Sequence, residues 1–166
     1  MNDQPKTFQP FTIASFDVKF YDGLFNTPAL ELAVRGWADC VERGLGDGGL
    51  NVHWEQMAFV TFAPANLSAP GRDMIPVGVC TFSHEKPWKK IWISQSYVVP
   101  EYRGLGIYRM MWERVTLKAA ELKCVKIQSG THPNNTAMRQ IARKQGRVET
   151  GIELTYVMPD ELLSAG

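Results

Sequence analysis

The chain has 166 residues, of which 45% are hydrophobic and 21% are charged, and its formal net charge is +1. This length predicts one domain that buries about two thirds of the surface of the unfolded chain. No apolar run approaches the roughly 20 residues that span a bilayer, and the first ten residues contain no apolar signal core. We therefore expect neither membrane insertion nor export.

The cysteines and histidines show no metal-ligand spacing. The three cysteines are far apart and form no Cys-x-x-Cys pair, which argues against a disulfide framework and against a zinc site. We expect no bound metal and a reducing, cytoplasmic environment. The residues concerned are Cys40, Cys80, Cys124, His53, His84 and His132.

The first half of the chain predicts a strand within residues 11–20, where apolar and charged residues alternate. A helix should follow, with Thr27 as its cap, Pro28 in its first turn and Arg43 at its end. Its apolar stripe is expected at Leu30, Val34, Trp37 and Val41. Residues 44–49 read G-x-G-x-x-G, but they follow a helix instead of a strand, so they predict a loop and not a dinucleotide site.

The next segments predict three strands, at residues 56–62, 75–84 and 91–99, whose short connections favour an antiparallel meander. A helix from Gly106 to about Leu122 should cross over to a parallel strand at residues 125–129. A helix at residues 136–145 and a strand at residues 153–158 complete the order. The predicted fold class is α/β, or α+β, with a mixed sheet. The buried stripe of the crossover helix is expected at Met111, Val115, Ala119 and Leu122.

Residues 98–108, VVPEYRGLGIY, place a glycine-rich turn between a strand and a helix. Gly104 and Gly106 lack a Cβ, so backbone N–H groups can approach a phosphate at the positive end of the helix. Arg103 adds donors suited to phosphate. The turn lacks the third glycine of a dinucleotide fingerprint and the Gly-Lys-Ser/Thr end of a nucleoside-triphosphate loop.

A second segment, THPNNTAMRQIARKQGR at residues 131–147, forms a loop and a short helix. With the glycine turn it resembles the Gcn5-related N-acetyltransferase (GNAT) family. The family's first motif, Gln/Arg-x-x-Gly-x-Gly/Ala, is matched over residues 101–106 at both glycines, with Glu101 in the first position. In the second motif, Asn-x-x-Ala-x-x-Leu-Tyr-x-Lys-x-Gly-Phe, four positions fit, Met138 is an apolar replacement, and two positions depart. The fitting residues are Asn135, Ile141, Lys144 and Gly146, and the departures are Ala142 and Arg147.

The resemblance implies a single-domain GNAT fold with a splayed pair of parallel strands that binds acetyl-coenzyme A. It implies that backbone groups of Tyr97, Val98 and Val99 bind the pantetheine arm. The pyrophosphate would be wrapped by Arg103, Gly104, Leu105, Gly106, Ile107 and Tyr108, and Asn135 and Met138 would contact the arm from the other side.

The proton transfers have several candidate groups. The family often has a tyrosine where this chain has Ala142, and sometimes a glutamate where it has Gly130. A backbone N–H near Val98 or Val99 is expected to stabilise the oxyanion. Ser94, Gln95 and Ser96 interrupt an apolar strand and can line the site. The candidate catalytic side chains are Ser96, Tyr97, Tyr108 and His132.

The resemblance predicts an acetyl-coenzyme A dependent N-acetyltransferase that transfers its acetyl group directly to a primary amine. The acceptor is expected to be a small amine or amino acid, or else a protein amine, selected by the first helix and by the loops at residues 44–49 and 63–73. An inactive coenzyme A binding module is one alternative. Another is an enzyme that modifies a nucleic-acid base or an aminoacyl-tRNA, since residues 101–147 carry ten basic and three acidic side chains, a net charge of +7. Nucleic-acid binding is disfavoured by the nearly neutral whole chain, and a homodimer is compatible with the resemblance.

Overall fold

A computed structural model describes residues 16–46, 52–67 and 73–150 of the chain. Packing divides the chain into two compact units, Met1–His132 and Pro133–Gly166. In chain order the described elements are β1 (Asp17–Asp22), α1 (Pro28–Glu42), β2 (Met57–Pro64), β3 (Met74–Glu85), β4 (Lys90–Val98), α2 (Ile107–Glu121), β5 (Lys126–Ser129) and α3 (Thr136–Lys144). The first unit contains the elements from β1 to β5, and the second unit contains α3.

The five strands form one sheet in the order β1-β2-β3-β4-β5. The first four pair in antiparallel fashion through short connections, and β5 pairs with β4 in parallel after the crossover through α2. This confirms the predicted mixed sheet. The β4–β5 ladder ends at the pair Ile93↔Ser129, so residues 94–98 of β4 have no partner in β5. We call this gap the strand opening.

The two long helices lie on opposite faces of the sheet. A Cβ added to Gly36 of α1 would lie 2.5 Å from the Cβ of Tyr97, and one added to Gly78 of β3 would lie 2.7 Å from Cγ2 of Ile107 in α2. Gly78 pairs with Val98, and neighbouring residues of a strand point to opposite faces. Tyr97 and Gly78 therefore face different helices, and each contact depends on a glycine.

The buried face of α1 differs from the predicted stripe. Ala29, Leu32, Ala33 and Gly36 are buried, whereas Val34 and Val41 are each 41% exposed. Three of these four buried residues are small, which lets the helix approach the sheet closely. Thr27 precedes α1 as predicted, but its side chain forms no cap and donates to the carbonyl of Leu24 at 2.8 Å. The predicted stripe of α2 is confirmed at Met111, Val115 and Ala119, which are all buried.

The ends of several strands differ from those predicted from the sequence. The first strand runs to Asp22, and β2 continues to Pro64 because Ala63 and Pro64 keep pairing with β3. A left-handed Lys89 closes the turn between β3 and β4. The predicted strand at residues 153–158 lies outside the described residues, as do parts of the loops predicted at residues 44–49 and 63–73.

Candidate donor and transfer site

The glycine turn forms a cradle, residues 103–108, at the N-terminus of α2. Gly104 and Gly106 adopt left-handed φ angles of 81° and 80°, and a Cβ on either would meet no protein atom within 4 Å. In the described part of the chain, the N–H groups of Gly104, Leu105, Gly106 and Ile107 donate to no backbone carbonyl. Unpaired donors, open space and the positive end of a helix together suit an anion such as a pyrophosphate.

Two contacts fix the cradle to the sheet. The hydroxyl of Tyr102, a buried residue, donates to the carbonyls of Pro64 at 2.9 Å and Ala65 at 3.3 Å, at the end of β2. Ile107 packs on Gly78 of β3. Sequence reasoning missed both anchors, although a glycine within a strand is a known sign of close approach by another segment.

Arg103 braces the cradle against α1. Its Nε donates to the carbonyl of Val98 at 2.9 Å and its Nη2 to Asp39 at 3.0 Å, while its guanidinium carbon lies 5.7 Å from the centre of the Tyr97 ring. Arg43 bonds the other carboxylate oxygen of Asp39 at 3.1 Å. A phosphate could therefore be bound only by the N–H groups of Arg103 that these two bonds do not use.

The two arginines also set the ionisation of Asp39. Burial by itself would raise the pKa of this carboxyl group. The hydrogen bonds from Arg103 and Arg43, with the charges of both guanidinium groups, outweigh burial and hold the pKa below its usual value of 3.8. Asp39 is therefore ionised at neutral pH and keeps Arg103 in place.

Backbone groups of β4 line the strand opening. The Val99 N–H donates to the carbonyl of Val77 in β3 at 2.9 Å, so it faces away from the opening and cannot stabilise an oxyanion there. Because N–H groups alternate in direction along a strand, those of Val98 and Ser96 face the opening. Of the two residues predicted for this role, only Val98 fits.

Two of the candidate catalytic side chains, Ser96 and Tyr97, lie on opposite faces of the sheet. The Ser96 hydroxyl donates to Sγ of Cys80 at 3.4 Å, within the sheet. Tyr97, on the other face, is 8% exposed and packs against Gly36. Tyr108, the second residue of α2, is half-buried, and His132 is half-buried in the loop after β5.

The second unit carries the other predicted donor contacts. Oδ1 of Asn135 accepts a hydrogen bond from the Met138 N–H at 3.2 Å and so caps α3. Gly146 follows α3 with a left-handed φ of 76°, which explains the glycine of the second motif. A hydrogen bond from Arg139 lowers the pKa of Glu149 in the same unit.

A cavity of about 550 Å³ lies beside the cradle. Its lining includes Arg35 of α1, Asn66 and Leu67 of the loop after β2, and Glu101 and Tyr102 before the cradle. The first helix and the predicted acceptor loop therefore do line a common space. Among the described residues, no three His, Cys, Asp or Glu side chains form a possible metal cluster, and no helix is long and apolar enough to cross a membrane.

The chain was compared with known proteins. The family model described as the acetyltransferase (GNAT) family matches residues 39–146, more than half of the chain. A sequence comparison with curated proteins found no significant match.

Solved structures share the fold at low sequence identity. The aminoglycoside acetyltransferase AAC(6')-Iy, bound to a coenzyme A bisubstrate analogue, is 18% identical with a TM-score of 0.58, and the match covers 87% of this chain and 98% of that one. An aminoglycoside acetyltransferase from an uncultured soil metagenomic sample is 11% identical with a TM-score of 0.62, covering 89% and 99%. An IAA acetyltransferase from Bacillus cereus is 16% identical with a TM-score of 0.54, covering 79% and 75%.

The family match includes the cradle and all of the second motif except its last position, Arg147, and the solved structures share the fold. The chain belongs to the GNAT family and is an acetyl-coenzyme A dependent N-acetyltransferase.

Proposed function

We propose that this protein transfers an acetyl group from acetyl-coenzyme A directly to a primary amine in a ternary complex. The observation that carries the proposal is the cradle of left-handed glycines beside the strand opening, whose N–H groups bond no backbone carbonyl of the described residues. Residues 103–108 would hold the pyrophosphate, and backbone groups of Val98 would pair with the pantetheine arm, whereas those of Tyr97 face β3 by the alternation described above. The family resemblance also assigns Asn135 and Met138 to the pantetheine arm.

Acetyl transfer needs a neutral amine, a polarised thioester carbonyl and a proton for the sulfur. The thioester supplies the activated acetyl group. N–H groups that face the strand opening supply fixed donors for the carbonyl oxygen, a role that needs no particular side chain. The anchored cradle and the brace at Arg103 keep β4 and α2 in a fixed relation, which favours orientation of the reacting atoms.

A small amine or amino acid is our first choice of acceptor, and a protein amine our second. The cavity beside the cradle is formed partly by α1 and by the loop after β2, the segments expected to select the acceptor. A small molecule could enter a space of this size without a large interface.

The nucleic-acid alternative loses support from the ion pairs of the basic segment. Three of its arginines and one lysine are paired with glutamates, which reduces the field available to phosphates. The pairs are Arg109–Glu113, Lys118–Glu121, Arg139–Glu149 and Arg143–Glu149. Binding to nucleic acid with a steep salt dependence would revive this alternative.

The test is release of free thiol from acetyl-coenzyme A with a panel of amines that includes amino acids, polyamines, an aminoglycoside and a lysine peptide. We expect at least one acceptor to raise release well above the rate without protein. Tight binding of acetyl-coenzyme A without thiol release for any acceptor would overturn the proposed transfer to a primary amine. It would favour the inactive module, which is suggested by Gly130 and Ala142 at the positions of the family's usual glutamate and tyrosine.

A further inference from the structure

Ser94 occupies an unusual place in the sheet. The β3–β4 register passes from Thr81↔Gln95 to Phe82↔Ile93, so Ser94 is a bulge residue without a partner in β3. It is also the first residue of β4 beyond the last pair with β5, Ile93↔Ser129. Ser94 therefore lies at the apex of the strand opening, outside both ladders.

A buried glutamine holds the Ser94 side chain. Gln56, which precedes β2 and is 5% exposed, donates from Nε2 to Oγ of Ser94 at 2.8 Å. Its Oε1 has no hydrogen-bond partner in the described part of the chain. Burying an amide is costly unless it is hydrogen-bonded, so the contact with Ser94 is the compensation that this buried side chain receives.

Because Gln56 is the donor in this hydrogen bond, the Ser94 hydroxyl keeps its own proton for another partner. A serine hydroxyl has one proton and two lone pairs. Since Gln56 donates to one lone pair, the Ser94 proton points elsewhere and the second lone pair stays available. Ser94 can then donate and accept at the same time, whereas the hydroxyl of Ser96 already donates to Cys80.

The length of the donor brings its reactive end to Ser94. The pantetheine arm has about as many chain atoms as four peptide residues, and a strand advances about 3.3 Å per residue. An arm that enters the opening beside the cradle, at Val98, reaches about four residues along β4. The thioester would then lie at the apex, next to Ser94, and the Ser96 N–H would be closer to it than the Val98 N–H.

We propose that Ser94, positioned by Gln56, relays the proton of the transfer reaction; this inference rests on the proposed function. As the C–N bond forms, Ser94 accepts the proton that the amine nitrogen loses. It gives its own proton to the sulfur as the C–S bond breaks, so the serine is regenerated and the protons balance. The relay replaces the tyrosine and glutamate that are absent at Ala142 and Gly130.

The experiment compares Ser94→Ala, Ser94→Thr, Gln56→Met and the Ser94→Ala/Gln56→Met double variant. The control is Thr81→Val, because Thr81 is fully buried nearby and its hydroxyl has no hydrogen-bond partner in the described chain. For each protein we measure kcat with the best acceptor, the Kd of acetyl-coenzyme A and the Tm. Wild-type turnover, measured first, tests the proposed function separately.

We expect Ser94→Ala to lower kcat by about 100-fold, as general acid–base groups do, with the Kd of acetyl-coenzyme A within twofold of wild type. Ser94→Thr should restore part of kcat, and Thr81→Val should keep wild-type kcat. Gln56→Met should lower kcat by about tenfold, and in the Ser94→Ala background it should change nothing further.

Three results would overturn the proposal. Wild-type kcat in Ser94→Ala, with an active wild-type enzyme, would show that Ser94 relays no proton. If the fold losses in kcat of the two single variants multiply in the double variant, Gln56 does not act through Ser94. An inactive wild type that binds acetyl-coenzyme A would remove the transfer reaction itself. Should the Gln56 variants not fold, the kcat and Kd of Ser94→Ala decide alone.

Discussion

Replacing Gly106 with alanine, and Gly44 with alanine as a control, distinguishes the cost of backbone strain from the loss of cofactor binding. Gly106 has φ 80°, and Gly44, at the end of α1, has φ 63°. An added Cβ would meet no protein atom within 4 Å at either place. A left-handed alanine costs about 1–2 kcal/mol. For a chain of this length the Tm falls by about 2–4 °C per kcal/mol, so each variant should lose about 2–8 °C.

Only one of these variants should lose the donor. Acetyl-coenzyme A at about 100 times its Kd adds about 2.7 kcal/mol to wild-type stability, which corresponds to a rise in Tm of about 5–11 °C. In Gly106→Ala the methyl group occupies the open space where a phosphate would meet the backbone N–H groups. We expect this rise to fall below half in Gly106→Ala and to remain whole in Gly44→Ala.

The assay is thermal unfolding with acetyl-coenzyme A, coenzyme A, NAD and ATP. Equal ligand-induced rises in the two variants would refute the placement of the pyrophosphate in the cradle. Stabilisation of the wild type by NAD or ATP alone would instead show that the cradle does not select coenzyme A. A loss of more than 8 °C in the absence of ligand would mean that Gly106 has a tighter environment than the structure shows.

Three further predictions concern α1 and its brace. Asp39→Asn should lower stability by about 1 kcal/mol and weaken acetyl-coenzyme A binding several-fold by calorimetry, because Arg103 loses its charged partner; unchanged affinity would contradict the brace. Since the folded pKa of Asp39 lies below 3.8, the stability difference between wild type and Asp39→Asn should be full above about pH 5 and vanish as the pH falls through the folded pKa, as measured by urea unfolding. Gly36→Ala should destabilise the fold by about 1–3 kcal/mol, although alanine has the better helix propensity. The reason is that its methyl group would lie 2.5 Å from the Cβ of Tyr97. A variant more stable than wild type would contradict this close packing of α1 on Tyr97.

The order of elements could be predicted because it depends on local signals. Short connections between the apolar runs indicate antiparallel pairing, and a long helix between two strands requires a parallel crossover. The buried face of α1 could not be predicted from apolar periodicity. Val34 and Val41 are more hydrophobic than Gly36, but close approach to Tyr97 selects for small size, and that requirement arises only once the strand is in place.

The same limit applies to the site. Gly104 and Gly106 are visible in the sequence because left-handed φ angles favour glycine. The brace between Arg103 and Asp39 joins residues 64 positions apart, and the bond between Gln56 and Ser94 joins residues 38 positions apart. Neither pair has a local signature. The polar run that includes Ser94 is visible in the sequence, while only the sheet register shows that Ser94 leaves both ladders.

The magnitudes explain why this chain can do without the family's usual tyrosine. A general acid contributes about 10²–10⁴-fold, or roughly 3–5 kcal/mol, whereas orientation of bound reactants can supply about 7–11 kcal/mol. The leaving group is a thiol with an ordinary pKa of about 8.5, so a weak proton donor such as the Ser94 hydroxyl can replace a stronger acid. Loosening the anchors at Tyr102 and Gly78 should therefore lower kcat at least as much as removing a titratable side chain.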